Sequence, residues 1–312
     1  MSSMGKYVGA RRIGAVVALA ALAASLQLAP AAPAAPARAQ GTGEASAVSR
    51  LVDPVDACGT RPQRPDGSYF SCSFHDEFDG TALDRTRWMA QDTALTGVFT
   101  GQGGCYRDNR RTISVGGGTL RLTATILDQV FVCQSPYAPF PTSSEVSTVA
   151  TISRFTQAYG RFSARVRFSA ATGGHAAFWL YPQVQTYGRW PLSGEVDIAE
   201  WMGNDPSHVY PSLHYFGEDR SRSTGRTCPG PAASTGFHTY TLDWTPTVMR
   251  FTYDDQLCWS HSWTPTNVRP PAPFDKPFYV VLTQIWGTGS AARTSTSPKT
   301  ASMDVDWVRA WS

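Results

Sequence analysis

An all-β domain, most simply a sandwich of two sheets, is the fold class this sequence predicts, and three observations lead there. Short stretches with alternating or β-branched character recur between turns rich in Gly, Pro, Asn and Asp. No long stretch holds the 3.6-residue period of an amphipathic helix. The 27 Gly and 22 Pro supply the punctuation that many short strands need. With 312 residues, 42% hydrophobic, 12% aromatic and only 16% charged, the chain has material for a large core and lacks the composition of a disordered one.

The first element along the chain reads as an address. Residues 1–39 contain Lys6, Arg11, Arg12 and Arg38 and no acid. The Arg11-Arg12 pair precedes a weakly apolar run from Ile13 to Leu28, and a Pro/Ala segment then closes with Ala37-Arg38-Ala39, a small-x-small cleavage pattern. These features predict a secretory signal peptide over 1–39, cut near Ala39-Gln40, and an extracellular protein. A retained membrane anchor would need roughly 20 apolar residues, more than this run offers. The arginine pair leaves the twin-arginine export route open.

Residues 40–55 are small, polar and unpatterned and predict a flexible lead-in. From 56 to 312 there is no composition break and no internal repeat, so one domain is expected. The formal charge of +3 changes with the leader: four of the 27 basic residues go with it, leaving 23 against 24 acids and a net charge of −1. A nearly neutral surface gives no electrostatic reason to expect nucleic acid or a membrane as partner. A monomer is the default expectation.

The clearest strands follow in order: Thr119 to Thr125, Tyr159 to Phe168, His175 to Tyr181, Glu195 to Ala199, His238 to Trp244, Met249 to Tyr253, Phe278 to Trp286 and Met303 to Trp311. In the last, strict alternation puts Met303, Val305, Trp307, Arg309 and Trp311 on one face. Six cysteines, an even number, suit disulfides in an oxidising compartment. Pairing between sequence neighbours (Cys58 with Cys72, Cys105 with Cys133, Cys228 with Cys258) is the expectation among about 15 connectivities. No C-x-x-C spacing of a zinc or redox site occurs.

The chemistry concentrates in Glu195-Val196-Asp197-Ile198-Ala199-Glu200-Trp201. Acids are disfavoured in strands, yet three sit here among apolar residues. In a regular strand Glu195 and Asp197 share a face and Glu200 points away. One extra residue near Ile198 or Ala199, a β-bulge, returns Glu200 to the face of the other two. Clustered carboxylates repel, and at least one must bind its proton more tightly. Glycosidic hydrolysis uses such a division: one carboxylate attacks or stabilises the sugar carbon, and one protonated acid serves the leaving oxygen. A solvated acidic edge or a set of calcium ligands is the bland alternative. Trp179, Trp190, Trp201, Tyr181 and Trp286 lie in or beside the strands and offer faces on which pyranose rings stack, although any one aromatic is more often core than cleft.

The Glu195–Glu200 segment resembles the bulged E-[IV]-D-[IV]-x-E signature of glycoside hydrolase family 16, in particular of bacterial endo-β-1,3-glucanases (laminarinases), with Gly203 following as in its E-x-x-G form. Segments Phe74–Trp88, Tyr159–Tyr181, Phe237–Pro246, Pro277–Gly287 and Met303–Trp311 are similar to family segments in the same order. The resemblance implies a concanavalin-A-like jelly roll of two curved antiparallel sheets with the glucan on the concave face. It further implies retention of configuration, with Glu195 as nucleophile, Asp197 as its partner and Glu200 as acid/base, protonated at working pH. Substrate contacts implied are Trp179, Trp190, His175, His214, Trp201, Gln284 and Trp286.

Three departures accompany the resemblance. The unbulged E-x-D-x-E variant of lichenases and xyloglucan transglycosylases is absent. Where laminarinases read W-P-A-F-W, this chain reads His175-Ala176-Ala177-Phe178-Trp179, so a stacking tryptophan gives way to His175. An upstream histidine position of the family is Tyr210 here. The family's structural calcium would draw its side-chain ligands from Glu77 and Asp306; no cofactor is otherwise required. The six His show no metal-binding spacing, and no nucleophile elbow or phosphate loop occurs. Agarose, carrageenan, galactan or mixed-linkage glucan as substrate, and a non-catalytic glucan-binding module, stand as alternatives.

Overall fold

The computed structural model describes residues 53–100, 103–225, 228 and 233–312. The predicted leader and most of the lead-in lie outside them. Twelve strands of five residues or more carry the fold: β1 Cys72–Asp76, β2 Leu120–Cys133, β3 Phe140–Ala150, β4 Gly160–Arg167, β5 Gly174–Pro182, β6 Glu195–Met202, β7 Tyr210–His214, β8 His238–Trp244, β9 Met249–Tyr253, β10 Gln256–His261, β11 Phe278–Trp286 and β12 Thr300–Trp311. All eight expected strands are present. The one described α-helix is a single turn, Thr93–Thr96, started by the Asp92 side chain and ended by Gly97 in the left-handed conformation.

Hydrogen bonding runs along one path, β7-β6-β5-β11-β3-β2-β12-β4-β8-β9-β10, with β1 added on β12. The two expected layers are therefore continuous. The far end of β3 (Ser147–Ala150) pairs with β11, while its start pairs with β2. The path bends there, and the layers pack face to face through one core in which Phe178, Leu180, Val196 and Ile198 meet Phe162, Tyr240, Leu242, Phe251 and Met303. Ring contacts cross the interface, Trp201 on Phe168 at 5.9 Å and Trp244 on Phe278 at 5.3 Å. Fully burying side chains of this size contributes about 1.5–3 kcal/mol each.

The last strand departs from strict alternation. A register shift between Val305 and Trp307 inserts an extra residue, so Met303, Val305, Val308 and Ala310 face the core and Trp307 and Arg309 turn outward. There Arg309 stacks on Trp307 at 4.4 Å. Three disulfides join Cys58–Cys72, Cys105–Cys133 and Cys228–Cys258, the pairing expected from sequence.

Candidate active site

The carboxylate strand starts from a position only glycine fits. Gly194 has φ +82°, and a Cβ there would sit 2.7 Å from the Phe274 ring. The turn it makes sends Glu195 straight into β6. Opposite β5, Trp179 pairs with Asp197, but the next pair is Phe178 with Ala199. Opposite β7, Asp197 pairs with Ser212 and Glu200 with Tyr210, two intervening residues on one strand against one on the other. This is the expected bulge, and Ile198 is the extra residue on the β5 side. Its carbonyl accepts a hydrogen bond of 2.9 Å from the Tyr253 hydroxyl, which reaches over from β9 in the opposing layer. Beyond the bulge, Gly203 lets the backbones close up, since a Cβ there would lie 2.0 Å from the Ala171 carbonyl oxygen.

Glu195, Asp197 and Glu200 consequently line one open groove of about 510 Å³, walled by His175, Ala177, Trp179 and Tyr181 from β5 and by Tyr279, Val281, Thr283 and Ile285 from β11. Trp179 is fixed by its indole N–H donating to Thr283 Oγ1 at 3.0 Å and by an edge contact to Tyr181. A second recess of about 470 Å³ holds Met202, Asn204, Tyr210, Ser212, His214 and Arg220 and shares Glu200 with the first. Glu200 thus stands where the two meet. Trp190, 47% exposed, lies 6.0 Å from the His214 ring.

Three expected substrate contacts are placed elsewhere. Trp201 is fully buried and stacks on Phe168, because the residue after Glu200 points through the sheet into the core. Gln284 and Trp286 are likewise buried; alternation along β11 gives the groove Tyr279, Val281, Thr283 and Ile285 instead. The Gln284 amide donates to the carbonyl oxygens of His175 and Ile285, and Trp286 is covered by the Arg293 guanidinium at 4.6 Å. Glu77 and Asp306 do not fit a calcium site. Both oxygens of Glu77 accept from Arg309 at 2.9 Å, and Asp306 accepts from Arg165.

Electrostatics divides the three carboxyls. Burial, followed by the charge of Asp197, pushes Glu195 up to about 8 against the pull of His214. Burial also raises Asp197 to about 6, although a hydrogen bond from His214 opposes it. His214 Nε2 lies 3.2 Å from Asp197 and Nδ1 3.2 Å from Glu218. Burial works against its charge, but Asp197, Glu195 and Glu218 outweigh that and lift it to about 9. An imidazolium is therefore the cation of this cluster. Both its nitrogens are engaged, so the grouping of Glu195, Asp197 and His214 atoms within 4.8 Å of one another leaves no lone pair on His214 for a metal.

Glu200 differs from expectation. Burial would raise it, yet the hydrogen bond and charge of His175, with His214 behind, hold it below the usual carboxylate range. The 2.8 Å contact between His175 Nε2 and Glu200 Oε1 is responsible. Without substrate, then, Glu195 holds a proton more tightly than Glu200 does. Sequence reasoning also missed Glu218, which follows His214 by four residues in a loop whose return toward the strand no pattern announces.

The sequence profile described as Glycosyl hydrolases family 16 matches residues 108–309. The chain is 31% identical over 254 residues to the Beta-glucanase of Rhodothermus marinus, covering 76% of this chain and 83% of that protein. It is 27% identical over 283 residues to Glucan endo-1,3-beta-glucosidase A1 of Niallia circulans, covering 84% of this chain and 40% of that longer protein. Among solved structures, the laminarinase from Rhodothermus marinus matches with a TM-score of 0.65 at 27% identity, over 78% of this chain and 97% of its own.

Proposed function

Given that the chain belongs to glycosyl hydrolases family 16, we propose that it cleaves β-1,3-linked glucan at internal bonds, with retention, outside the cell. The observation that carries this reading is the bulge that returns Glu200 to the face of Glu195 and Asp197 on the floor of a groove open to either side of them. A polymer lying across both recesses would present its scissile bond at Glu200, which suits endo action. In the first step Glu195 attacks the anomeric carbon while Glu200 gives its proton to the departing oxygen; in the second, Glu200 takes a proton from water, which displaces Glu195. The His214 cation beside Glu195 favours its ionised, attacking form against burial and the charge of Asp197.

Bringing an uncharged sugar into this groove removes water from Glu200 and favours its neutral form, while the proton near Glu195 has to leave before attack. The working distribution is reached on binding, by one proton moving within the carboxylate cluster. Trp179 and the half-exposed Trp190 offer stacking faces for pyranose rings. The basic and apolar leader ending at Ala39, together with three disulfides, supports export; no described helix is long and apolar enough to cross a membrane. We take the enzyme to act as a monomer without a cofactor.

His175 in place of a stacking tryptophan favours a second reading, in which the sugar is that of another β-linked polysaccharide. Product analysis on laminarin, lichenan, agarose and carrageenan separates the two. Short oligosaccharides from laminarin support the first, and turnover of a galactan alone would replace it. Release of no reducing ends from any of the four would leave a binding module.

A further inference from the structure

His175 reaches Glu200 from the neighbouring strand, and neither step of the hydrolysis requires it. The residue stands on β5 opposite Met202, with its carbonyl held by the buried Gln284 amide. Its side chain and that of Glu200 are each only about a fifth exposed, at 23% and 22%.

Resting on the hydrolytic reading above, we infer that His175 is a positioning residue for the acid/base: its Nε2–H holds Glu200 Oε1, leaves Oε2 for the glycosidic oxygen, and stabilises the carboxylate formed when Glu200 gives up its proton. The balance closes without a proton change at His175. In the first step Oε2–H breaks as O–H forms on the leaving oxygen, while the C1–O bond to the leaving group breaks and one to Glu195 forms. In the second step water gives a proton to Oε2 and its oxygen to C1, and Glu195 departs. Through both, Nε2 keeps its hydrogen on Oε1, so the charge that appears on Glu200 is met by a donor already in place. A donor fixed on the ionised form also weakens the hold of the carboxyl on its proton, in line with the position of Glu200 below the usual range despite burial.

The titratable and charged groups around the pair are Glu195 and Asp197 on β6, Tyr210 and His214 on β7, Tyr181 on β5, Tyr279 on β11, Tyr106 beside β3, and Asp205 and Arg220 in the second recess. Of these, His214 works in the same direction as His175, and burial works against both. Removing His175 leaves burial opposed by His214 alone and raises the pH at which Glu200 ionises.

The test compares wild type, His175→Phe and His175→Gln in the pH dependence of kcat and kcat/KM on laminarin. Expected is an upward move of the alkaline limb in His175→Phe by about one pH unit, a tenfold change in proton affinity, with kcat falling more than KM changes. His175→Gln, whose amide can still donate to Oε1, should restore part of kcat. A second measurement needs no turnover: carboxyl-carbon NMR titration of Glu200 in the substrate-free protein, assigned by its loss in Glu200→Gln. The Glu200 midpoint should rise about tenfold in proton affinity in His175→Phe. An unmoved midpoint, or an unmoved alkaline limb, overturns the role of His175. A wild-type protein inactive on every β-glucan overturns the hydrolytic reading instead, and the NMR titration still decides the pairing.

Discussion

Replacing Tyr253 by Phe removes one oxygen and shows whether the bulge in β6 is held from across the core. The hydroxyl donates to the Ile198 carbonyl at 2.9 Å in a buried contact. Phe keeps the ring and its edge contact with Tyr240, whose centroid is 4.8 Å away, so nearly all apolar contact survives and the loss is confined to the hydrogen bond. A buried carbonyl deprived of its donor costs about 1–3 kcal/mol. Part of that cost can be relieved by letting the bulge slide, which turns Glu200, two residues on, away from the groove. Misplacing a catalytic group by about 1 Å can cost about a hundredfold in rate. Urea unfolding of Tyr253→Phe should therefore lose about 1–3 kcal/mol at unchanged m-value, and kcat on laminarin should drop roughly ten- to a hundredfold. A loss under about 0.5 kcal/mol together with wild-type kcat would show that the bulge needs no such tether.

Trp201→Ala empties a fully buried site and should cost about 3–5 kcal/mol in urea unfolding, whereas Trp190→Ala, at the open edge of the groove, should leave stability within about 0.5 kcal/mol and raise KM; equal effects of the two would contradict their placement. Folded-state proton affinity is raised for Glu195, to about 8, for Asp197, to about 6, and for His214, to about 9. The folded protein therefore binds more protons than the unfolded chain across this range, and stability should decline from about pH 5 to 9. The urea midpoint measured at intervals checks this, and a midpoint that rises with pH would count against it. Glu218→Gln removes one of the carboxylates that hold the His214 cation and should flatten that decline between pH 7 and 9; an unchanged slope would show that Glu218 contributes nothing there.

Much of the fold was legible because it rests on period. Met249–Tyr253 alternates cleanly and Phe278–Trp286 is rich in aromatic and β-branched residues, and the structure keeps both strands at those bounds. The bulge at Ile198 was legible for a chemical reason: three acids in one strand make sense only on one face. The same reasoning carried one step further places Trp201 in the core, since it follows Glu200 directly. Gln284 and Trp286 were misplaced because nothing in a single strand says which of its two faces meets the groove. The extra residue in β12 was hidden for a similar reason, as Asp306 looks like any alternating position until Val308 and Ala310 turn inward. His175 beside Glu200, and Glu218 behind His214, depend on strand register and loop return, which local sequence does not encode.

Trapping the sugar on the enzyme shows directly which residue attacks it. A 2-deoxy-2-fluoro β-glucoside with an activated leaving group slows the second step and leaves the sugar on the nucleophile, so that peptide mass spectrometry locates it. A stoichiometric label is expected on Glu195, none on Asp197 or Glu200, and none at all in Glu195→Gln. A label on Glu200, or turnover of laminarin to products of inverted configuration, would contradict attack by Glu195.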